Sequence, residues 1–180
     1  MPQKNENELK EKIEKTKLLI LDVDGVLTDG HIVYDSEGRE LKFFDAQDGV
    51  GILMLLDVGI RTIWVTIKPS KAIARRAEDL KIEKCYEGVH PKTKILEEVL
   101  KEHPVTLEEI CYVGDDLIDL GMMKTVGFPV AVANACQEIK DVAVYVTEKT
   151  GGRGAVREIT DLILKLKGEW EGVLSARFGQ

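Results

Sequence analysis

The segment at residues 18–30 constrains the fold more than any other part of the chain. Its apolar residues 18–21 lead directly into Asp22, Asp24 and Gly25. An apolar run of this length with these flanks is typical of a buried strand. In α/β proteins the carboxyl ends of such strands form the edge of the sheet that carries the chemistry. The segment therefore predicts a parallel sheet with two carboxylates at its functional edge.

The spacing of these two carboxylates indicates a specific chemistry. Residues two apart on a regular strand point to the same face, and Gly25 allows a sharp turn after them. The side chains of Asp22 and Asp24 and the Asp24 carbonyl can then share one small volume, and such hard oxygen ligands suit Mg²⁺. An ionised aspartate beside a divalent cation can attack phosphorus and form an aspartyl-phosphate. Asp-Gly pairs are also ordinary turn residues, so this segment alone fits a surface turn equally well.

Length and composition favour one soluble globular domain. The chain has 180 residues, of which 44% are hydrophobic and 32% charged, enough for a sizeable core. We expect a single domain over residues 1–180, with a core at about 17–166 and a tail at 167–180. The net charge is −7 and no basic patch stands out, which disfavours nucleic acid as a partner.

The cysteines and the N-terminal segment indicate a cytoplasmic protein. Cys85, Cys111 and Cys136 are odd in number and match no zinc-site spacing, which favours free thiols in a reducing compartment. Residues 1–17 are polar and lack a signal-peptide apolar region. No apolar stretch approaches the ~18 residues of a membrane span, so no membrane contact is expected.

Strand-like and helix-like segments alternate along the chain. The predicted strands cover residues 17–23, 61–66, 84–86, 110–113, 128–132 and 143–146. The predicted helices cover residues 6–16, 47–58, 69–80, 91–102, 117–125, 135–141 and 155–166. Two short β-prone runs at 31–35 and 40–44 predict a β-hairpin after the first strand. This alternation predicts an α/β fold, a Rossmann-like parallel sheet with helices on both faces.

Three further groups of polar residues follow predicted strands. Thr66 ends the second strand of the sheet, ahead of a helix N-terminus that suits a phosphate oxygen, although a simple helix cap explains it as well. Lys92 and Lys94 open a helix, where a cation is unfavourable unless it faces an anion; solvated lysines are the alternative. Asp115, Asp116 and Asp119 come next. Three carboxylates this close repel one another without a cation, but an acidic helix start accounts for one or two of them.

Taken together, these motifs resemble the haloacid dehalogenase superfamily of aspartate-nucleophile phosphatases. The resemblance covers about residues 17–165 and is most specific at Asp-x-Asp-Gly and at Gly-Asp-Asp-x-x-Asp. It implies that Asp22 is the nucleophile and that Asp24 is the acid and then the base. It also implies a Mg²⁺ ion held by Asp22, the Asp24 carbonyl and Asp115.

The same resemblance assigns supporting roles to other residues. Thr66 and Lys92 would bind the phosphoryl oxygens, with Lys92 preferred to Lys94 by the family's spacing. Asp116 and Asp119 would assist around the metal ion. Physically, this set provides positioning and charge neutralisation, which phosphoryl transfer requires.

The spacing of the motifs leaves no room for a cap domain. Between Asp24 and Thr66 the chain is used by the hairpin and one helix, and between Thr66 and Lys92 by a helix and a short strand. Uncapped members of this superfamily form tetramers in which a neighbour's hairpin or tail supplies the lid. We therefore expect a homotetramer, with the tail at 167–180 either docked on its own domain or reaching a neighbour.

The segments around the motifs are similar to one uncapped branch that acts on phosphorylated sugar acids. That branch hydrolyses 3-deoxy-D-manno-octulosonate 8-phosphate, an eight-carbon ester of lipopolysaccharide synthesis. The Gly-Gly-Arg-Gly segment at 151–154 would present Arg153 to the sugar-acid carboxylate. Lys68 would contact the same substrate. A glycine turn with a solvated Arg153 is the alternative without the resemblance.

One departure from the family pattern affects substrate binding. Thr66-Ile67-Lys68 stands where the family commonly has Thr-Gly-Arg. Ile67 lacks the positive φ angles open to glycine, and Lys68 lacks the two-pronged grip of arginine. The metal and nucleophile residues are intact, so we still expect catalysis.

Three alternatives remain open at the level of sequence. The first is a phosphatase of a nine-carbon, sialic-acid-type 9-phosphate, which would use identical chemistry. The second is a phospho-accepting receiver domain, disfavoured because Asp24 supplies a general acid and the second acidic group follows the threonine and lysine. The third is a scaffold that has lost turnover through Ile67.

Overall fold

The computed structural model describes residues 6–179. Residues 1–5 and 180, which belong to the predicted domain of residues 1–180, lie outside the described residues. Residues 6–179 contain one six-stranded sheet, one two-stranded hairpin and eight α-helices.

The main sheet confirms the predicted α/β fold. Its strands are β1 Leu18–Asp22, β4 Arg61–Thr66, β5 Lys84–Glu87, β6 Ile110–Gly114, β7 Phe128–Ala131 and β8 Tyr145–Val146. They pair in the order β5-β4-β1-β6-β7-β8, and every pairing is parallel. All five residues of β1 are buried, as expected for a central strand covered on both faces. The continuous apolar run therefore marks the middle of the sheet.

Helices cover both faces of the sheet. They are α1 Glu6–Lys15, α2 Ala46–Asp57, α3 Lys71–Asp79, α4 Leu96–Glu102, α5 Leu120–Thr125, α6 Gln137–Val142, α7 Ala155–Leu166 and α8 Trp170–Phe178. Helix α2 packs against α7 and α8, and α1 also packs against α7. Helix α5 packs against α6. Among the described residues, no helix is long and apolar enough to cross a membrane.

The hairpin lies between β1 and α2, as predicted. Its strands are β2 Val33–Tyr34 and β3 Glu40–Leu41, which pair antiparallel. Along the described chain, only this hairpin and α2 separate Asp24 from β4, and only α3 separates β4 from β5. The described residues therefore hold no cap domain, which confirms the expectation from the motif spacing.

Several element boundaries differ from the predictions for local reasons. Pro69 precedes the Ser70 N-cap of α3 instead of lying in its first turn. The helix predicted from Pro91 begins as a 3₁₀ turn over Lys92–Ile95, and the helix predicted from Leu117 begins likewise. Such tight turns are common at helix termini, and here each turn holds a polar side chain at the sheet edge.

The tail forms helix α8, which its weak periodicity did not predict, and docks on its own domain. Val173 is buried in the core. Arg177 donates to both carboxylate oxygens of Asp57 at the end of α2, at 2.5 and 2.8 Å. The Lys165 ammonium lies over the ring of Trp170. These contacts favour local packing of the tail over reach to a neighbour.

Asp48 joins the two helices that pack most closely, α2 and α7. Helix α7 begins after Gly154, which has no side chain to cap it. The buried Asp48 carboxylate instead accepts the Arg157 N–H at 2.7 Å. Burial raises the pKa of Asp48 to about 6.

We expect Asp48→Asn to stabilise the protein at high pH and to change it little at low pH. The folded state holds the Asp48 proton more tightly than the unfolded state, so its contribution to stability is lost as pH rises from about 4 to 6. The loss is on the order of 3 kcal/mol, a value that already includes the favourable bonding of Asp48 to the N-terminus of α7, because this bonding contributes to the pKa of about 6. Urea unfolding at pH 4 and pH 8 measures the difference. An Asp48→Asn variant less stable than the parent at pH 8 would contradict it.

Candidate active site

The register of the sheet brings the sequence motifs to one edge. Asp22, the last residue of β1, lies level with Val65 of β4, and Leu21 lies level with Val113 of β6. The residues that follow on the neighbouring strands are Thr66 on one side and the loop after Gly114 on the other. The prediction that the carboxyl ends of these strands meet is therefore confirmed.

Lys92 lies between two buried carboxylates. Its ammonium is 2.6 Å from Asp22 Oδ1 and 2.6 Å from Asp119 Oδ1. Lys92 is 1% exposed, Asp22 is 2% exposed and Asp119 is fully buried. Lys94 is exposed and donates to the His90 carbonyl at 2.9 Å. The structure thus brings Lys92, and not Lys94, to Asp22.

Asp119 organises the loop after β6. Its Oδ1 also accepts from the Tyr112 hydroxyl at 2.6 Å, and its Oδ2 accepts the N–H groups of Asp115 and Asp116. Both carboxylate oxygens are therefore occupied by protein donors. Tyr112 lies inside β6 and was not predicted, because an aromatic residue in an apolar strand reads as core.

Asp115 lies near Asp22 and directly against the backbone of Gly25, where a residue with a side chain would collide with it. One oxygen from each of Asp22, Asp115 and Asp119 lies within 4.8 Å of the others. Gly25 has φ +90°, and a Cβ there would lie 2.0 Å from Asp115 Oδ2. Asp22 Oδ2 and Asp115 Oδ1 are buried without a hydrogen-bond partner. Unpaired buried carboxylate oxygens are costly, so these two oxygens are suited to a cation.

The protonation of the cluster reflects a shortage of positive charge. Burial, and then Asp119, raises the pKa of Asp22 well above its usual range, against the effect of Lys92. Burial and Asp119 also raise the pKa of Asp115 to about 7. The pKa of Lys92 is raised because Asp22 and Asp119 outweigh its burial. One lysine faces three carboxylates, so a divalent cation would complete the neutralisation.

Asp24 is held by a residue that the sequence reasoning missed. Its Oδ1 accepts from the ammonium of Lys42 at 2.5 Å. The side chain of Lys42, which follows β3, is 2% exposed, whereas that of Asp24 is 39% exposed. Asp24 thus remains accessible at the edge while one of its oxygens is fixed.

Thr66 and Asp116 are placed by local hydrogen bonds. The buried Thr66 hydroxyl accepts the Lys68 N–H at 3.3 Å, so it lies over the turn that follows β4. Asp116 caps the 3₁₀ turn at Leu117–Asp119 by accepting the Leu117 N–H at 2.8 Å. This cap is the alternative explanation that the sequence left open for Asp116.

Lys68 and Arg153 lie apart from the carboxylate cluster. Lys68 donates to Glu40 Oε1 at 2.9 Å and to the Tyr34 hydroxyl at 3.1 Å. Arg153 has a side chain that is 72% exposed and lies 3.6 Å from Asp29 Oδ2. It lines a cleft of about 660 Å³ beside the hairpin, together with Asp29 and Phe43. Neither residue is in contact with Asp22.

The chain is similar to known proteins over most of its length. A model of the haloacid dehalogenase-like hydrolase family matches residues 77–159. The chain is 43% identical over 158 residues to 3-deoxy-D-manno-octulosonate 8-phosphate phosphatase of Escherichia coli strain K12, a match that covers 88% of this chain and 84% of the relative.

Solved structures agree with this result. The corresponding phosphatase of Moraxella catarrhalis, in complex with magnesium, phosphate and KDO, matches with a TM-score of 0.92 and 39% identity over 96% of this chain and 99% of that chain. The phosphatase of Yersinia pestis matches with a TM-score of 0.90 and 40% identity, over 92% of this chain and 90% of that chain. The fold and most of the chain are therefore shared with these enzymes.

Proposed function

This chain belongs to the haloacid dehalogenase-like hydrolases, and we propose that it is a Mg²⁺-dependent phosphatase of 3-deoxy-D-manno-octulosonate 8-phosphate. The observation that carries the proposal is the cluster of Asp22, Lys92, Asp115 and Asp119 at the sheet edge, in which Asp115 is half-buried and the other three are buried. Relatives that act on this ester are about two-fifths identical over most of the chain.

The donor set fits a magnesium ion. Asp22 Oδ2 and Asp115 Oδ1 are buried without partners, and the Asp24 carbonyl belongs to the same turn. Hard oxygen ligands of this kind suit Mg²⁺. Asp119 is not proposed as a ligand, because protein donors occupy both of its oxygens. When bound, Mg²⁺ supplies neutralising charge to the phosphoryl group.

Asp22 is the proposed nucleophile. Its carboxylate oxygen attacks phosphorus, the bond from phosphorus to the sugar oxygen breaks, and an aspartyl-phosphate forms on Asp22. Lys92 holds Asp22 Oδ1, which leaves Oδ2 to react or to bind the cation. Lys92 and the Thr66 hydroxyl are the proposed contacts of the transferring phosphoryl oxygens.

Asp24 is the proposed acid and base. In the first step its proton passes to the departing sugar oxygen. In the second step the Asp24 carboxylate takes a proton from water, whose oxygen attacks the aspartyl-phosphate; phosphate leaves and the Asp22 carboxylate is restored. The partial exposure of Asp24 allows this group to meet both the sugar and water.

The sugar acid is proposed to bind beside the carboxylate cluster. Lys68 and Arg153 are its proposed substrate contacts, and Asp116 is a proposed helper near the metal ion. A nine-carbon sugar acid 9-phosphate is the alternative substrate, since its chemistry at phosphorus is the same. Ile67, which is 36% exposed, occupies the position after Thr66 at which the family commonly has glycine.

Phosphate release with and without Mg²⁺ tests the proposed function. The substrates are 3-deoxy-D-manno-octulosonate 8-phosphate, a nine-carbon sugar-acid phosphate and p-nitrophenyl phosphate. We expect a strong preference for the octulosonate ester. Preference for the nine-carbon ester would support the alternative substrate. No release from any of them by the folded, Mg²⁺-bound protein would favour a scaffold.

Gly25→Ala is expected to weaken Mg²⁺ binding by about 10- to 100-fold, the range seen when residues that orient metal ligands are changed. A methyl group there would displace the Asp115 carboxylate, and φ +90° disfavours any side chain. Isothermal titration calorimetry with Mg²⁺ measures the change. Gly172→Ala, in open space, is the control. Equal affinities of parent and Gly25→Ala would remove Asp115 from the metal site.

The proposed assembly is a cytoplasmic homotetramer in which each subunit is one domain over residues 1–180. Leu41 and Phe43 of the hairpin region are 42% and 63% exposed, and exposed apolar side chains of this kind are typical of an interface. A neighbour's hairpin, rather than the docked tail, would supply the lid. The free cysteines fit a reducing compartment.

We expect Phe43→Lys to shift the protein towards smaller species. A buried lysine at an apolar interface is strongly unfavourable, whereas the exposed Phe43 side chain contributes little to the fold of one subunit. Sedimentation velocity of the full chain measures the assembly. A monomeric parent protein would contradict the proposed tetramer.

A further inference from the structure

The hairpin presents two distinct faces. Exposure alternates from Glu40 to Phe43, along β3 and the two residues that follow it, so Glu40 and Lys42 form the covered side and Leu41 and Phe43 the exposed side. Leu41 and Phe43 are exposed. Glu40 and Lys42 have side chains that are 13% and 2% exposed, and they face the sheet edge. The polar face of the hairpin is therefore the one turned towards Asp24.

A chain of ion pairs connects this face to the end of β4. Lys42 contacts Asp24 Oδ1 at 2.5 Å and Glu40 Oε1 at 3.4 Å. Glu40 Oε1 also accepts from Lys68 at 2.9 Å, and Lys68 donates to the Tyr34 hydroxyl. Tyr34 lies directly opposite Glu40 in the hairpin. The Lys42 ammonium, which holds Asp24, is thus itself held by the Glu40 carboxylate, and Glu40 is held in turn by Lys68.

Asp24 needs such support because of its position. It is part-exposed on a glycine turn, where a short side chain can adopt more than one rotamer. A proton donor must lie within hydrogen-bond reach of the leaving oxygen to act, and small misplacements reduce the rate strongly. The Lys42 ammonium can only donate a hydrogen bond, so it occupies Oδ1 as an acceptor and leaves Oδ2 as the oxygen that can carry a proton to the substrate.

We infer that Lys42 is a positioning residue that aims Asp24 Oδ2 at the leaving oxygen of the substrate, with Glu40 and Lys68 fixing Lys42. The inference rests on the proposed function, because it takes Asp24 as the proton donor. It assigns the hairpin a part in catalysis within its own subunit. It also gives Lys68 a role in this network besides substrate contact.

The dependence of the rate on the leaving group distinguishes a positioning role of Lys42 from a general contribution of Lys42 to the stability of the fold. A sugar alkoxide needs a proton as it departs, whereas p-nitrophenolate departs readily without one. The value of kcat/KM reports events up to the formation of the aspartyl-phosphate, so it isolates the step in which Asp24 donates. Loss of positioning should lower kcat/KM for the sugar phosphate far more than for p-nitrophenyl phosphate.

The test compares Lys42→Met, Lys42→Arg and Glu40→Gln with the parent enzyme in saturating Mg²⁺. We expect Lys42→Met to lower kcat/KM for the sugar phosphate by about 10- to 100-fold, a part of the usual effect of acid catalysis, and for p-nitrophenyl phosphate by less than about threefold. Lys42→Arg should recover much of the activity, and Glu40→Gln should show a smaller loss with the same pattern. Lys71→Met, exposed at the start of α3, is the control.

The possible outcomes separate the two proposals. Equal losses on both substrates would overturn the positioning role and leave the phosphatase assignment standing. A parent enzyme without turnover on any ester would instead overturn the proposed function. Crystal structures of the parent and Lys42→Met then test positioning directly. We expect the Asp24 carboxylate to change rotamer or become disordered in Lys42→Met, and an unchanged Asp24 would refute the inference.

Discussion

Replacement of Asp22 by asparagine is expected to reduce phosphate release by at least about 10⁴-fold, a typical effect of removing a nucleophile. An amide oxygen cannot form the aspartyl-phosphate. No other carboxylate can replace Asp22, because Asp115 is proposed to bind the metal ion and both oxygens of Asp119 accept hydrogen bonds from the protein. The assay is phosphate release from the sugar phosphate in saturating Mg²⁺.

The fold should survive this substitution. Burial and Asp119 raise the pKa of Asp22, so the ionised carboxylate destabilises the metal-free protein at neutral pH. Asp22→Asn removes that charge, and urea unfolding in chelator should show equal or greater stability than the parent. Asp141→Asn, on the exposed face of α6, is the matched control. Retention of a tenth of the activity by Asp22→Asn would exclude Asp22 as the nucleophile.

A companion substitution separates a phosphatase from a receiver. Asp24→Asn should slow hydrolysis of the aspartyl-phosphate, because water then lacks its base. With p-nitrophenyl phosphate, whose leaving group needs no proton from Asp24, the intact protein mass should show a phosphorylated species in Asp24→Asn and not in the parent. A parent that keeps its phosphoryl group would favour the receiver domain instead.

The sheet and its edge could be predicted because they depend on local patterns. The buried run before Asp22 and the run before Gly114 each mark a central parallel strand, and the residue after each strand must lie at the carboxyl edge. The positions of Thr66 and Asp115 follow from the same rule, whereas the choice of Lys92 over Lys94 rests on the spacing of the family that the chain resembles. Strand order itself does not follow from local sequence and was not predicted.

The supporting contacts could not be predicted, because they depend on packing between distant elements. Lys42 comes from a hairpin and not from a strand end of the main sheet, and its sequence signal, Glu40 and Lys42 alternating with Leu41 and Phe43, also fits an ordinary amphipathic strand. Tyr112 reads as core until Asp119 lies beside its hydroxyl.

The tail shows a different limit of sequence reasoning. The apolar residues of helix α8 show little helical periodicity, and Gly172 weakens the helical pattern further. Its position is set by the contact of Arg177 with Asp57 and by burial of Val173, both of which require that α2 and α7 be in place. Tertiary contacts, rather than intrinsic propensity, thus determine this helix.

Lys92→Met is expected to destabilise the metal-free protein by about 3–5 kcal/mol, the usual effect of removing one partner from a buried ion pair. Methionine fills a similar volume but leaves Asp22 and Asp119 facing each other without a cation in a site that is 0–2% exposed. Urea unfolding in chelator measures the change. Lys94→Met, two residues away and exposed, is the control and should change stability by less than about 0.5 kcal/mol.

The pH dependence of this effect follows from the same charges. Without Lys92, Asp22, whose pKa is already raised by burial and by Asp119, binds its proton more tightly in the folded state than in the unfolded state, so the deficit should grow as pH rises from 5 to 8. Mg²⁺ should restore part of the stability at pH 8, because it neutralises Asp22. A loss of stability equal to that of Lys94→Met would show that the charge of Lys92 does not stabilise the fold.

The double variant Asp22→Asn with Lys92→Met connects the two predictions. Removing Asp22 eliminates one of the carboxylates that Lys92 neutralises, so the double variant should be more stable than Lys92→Met alone. Residues in one ion-pair network show such coupling, typically about 0.5–3 kcal/mol. Additive effects would mean that Lys92 is balanced by Asp119 alone. Coupling would mean that the residue proposed to hold the phosphoryl group also allows the nucleophile to be buried.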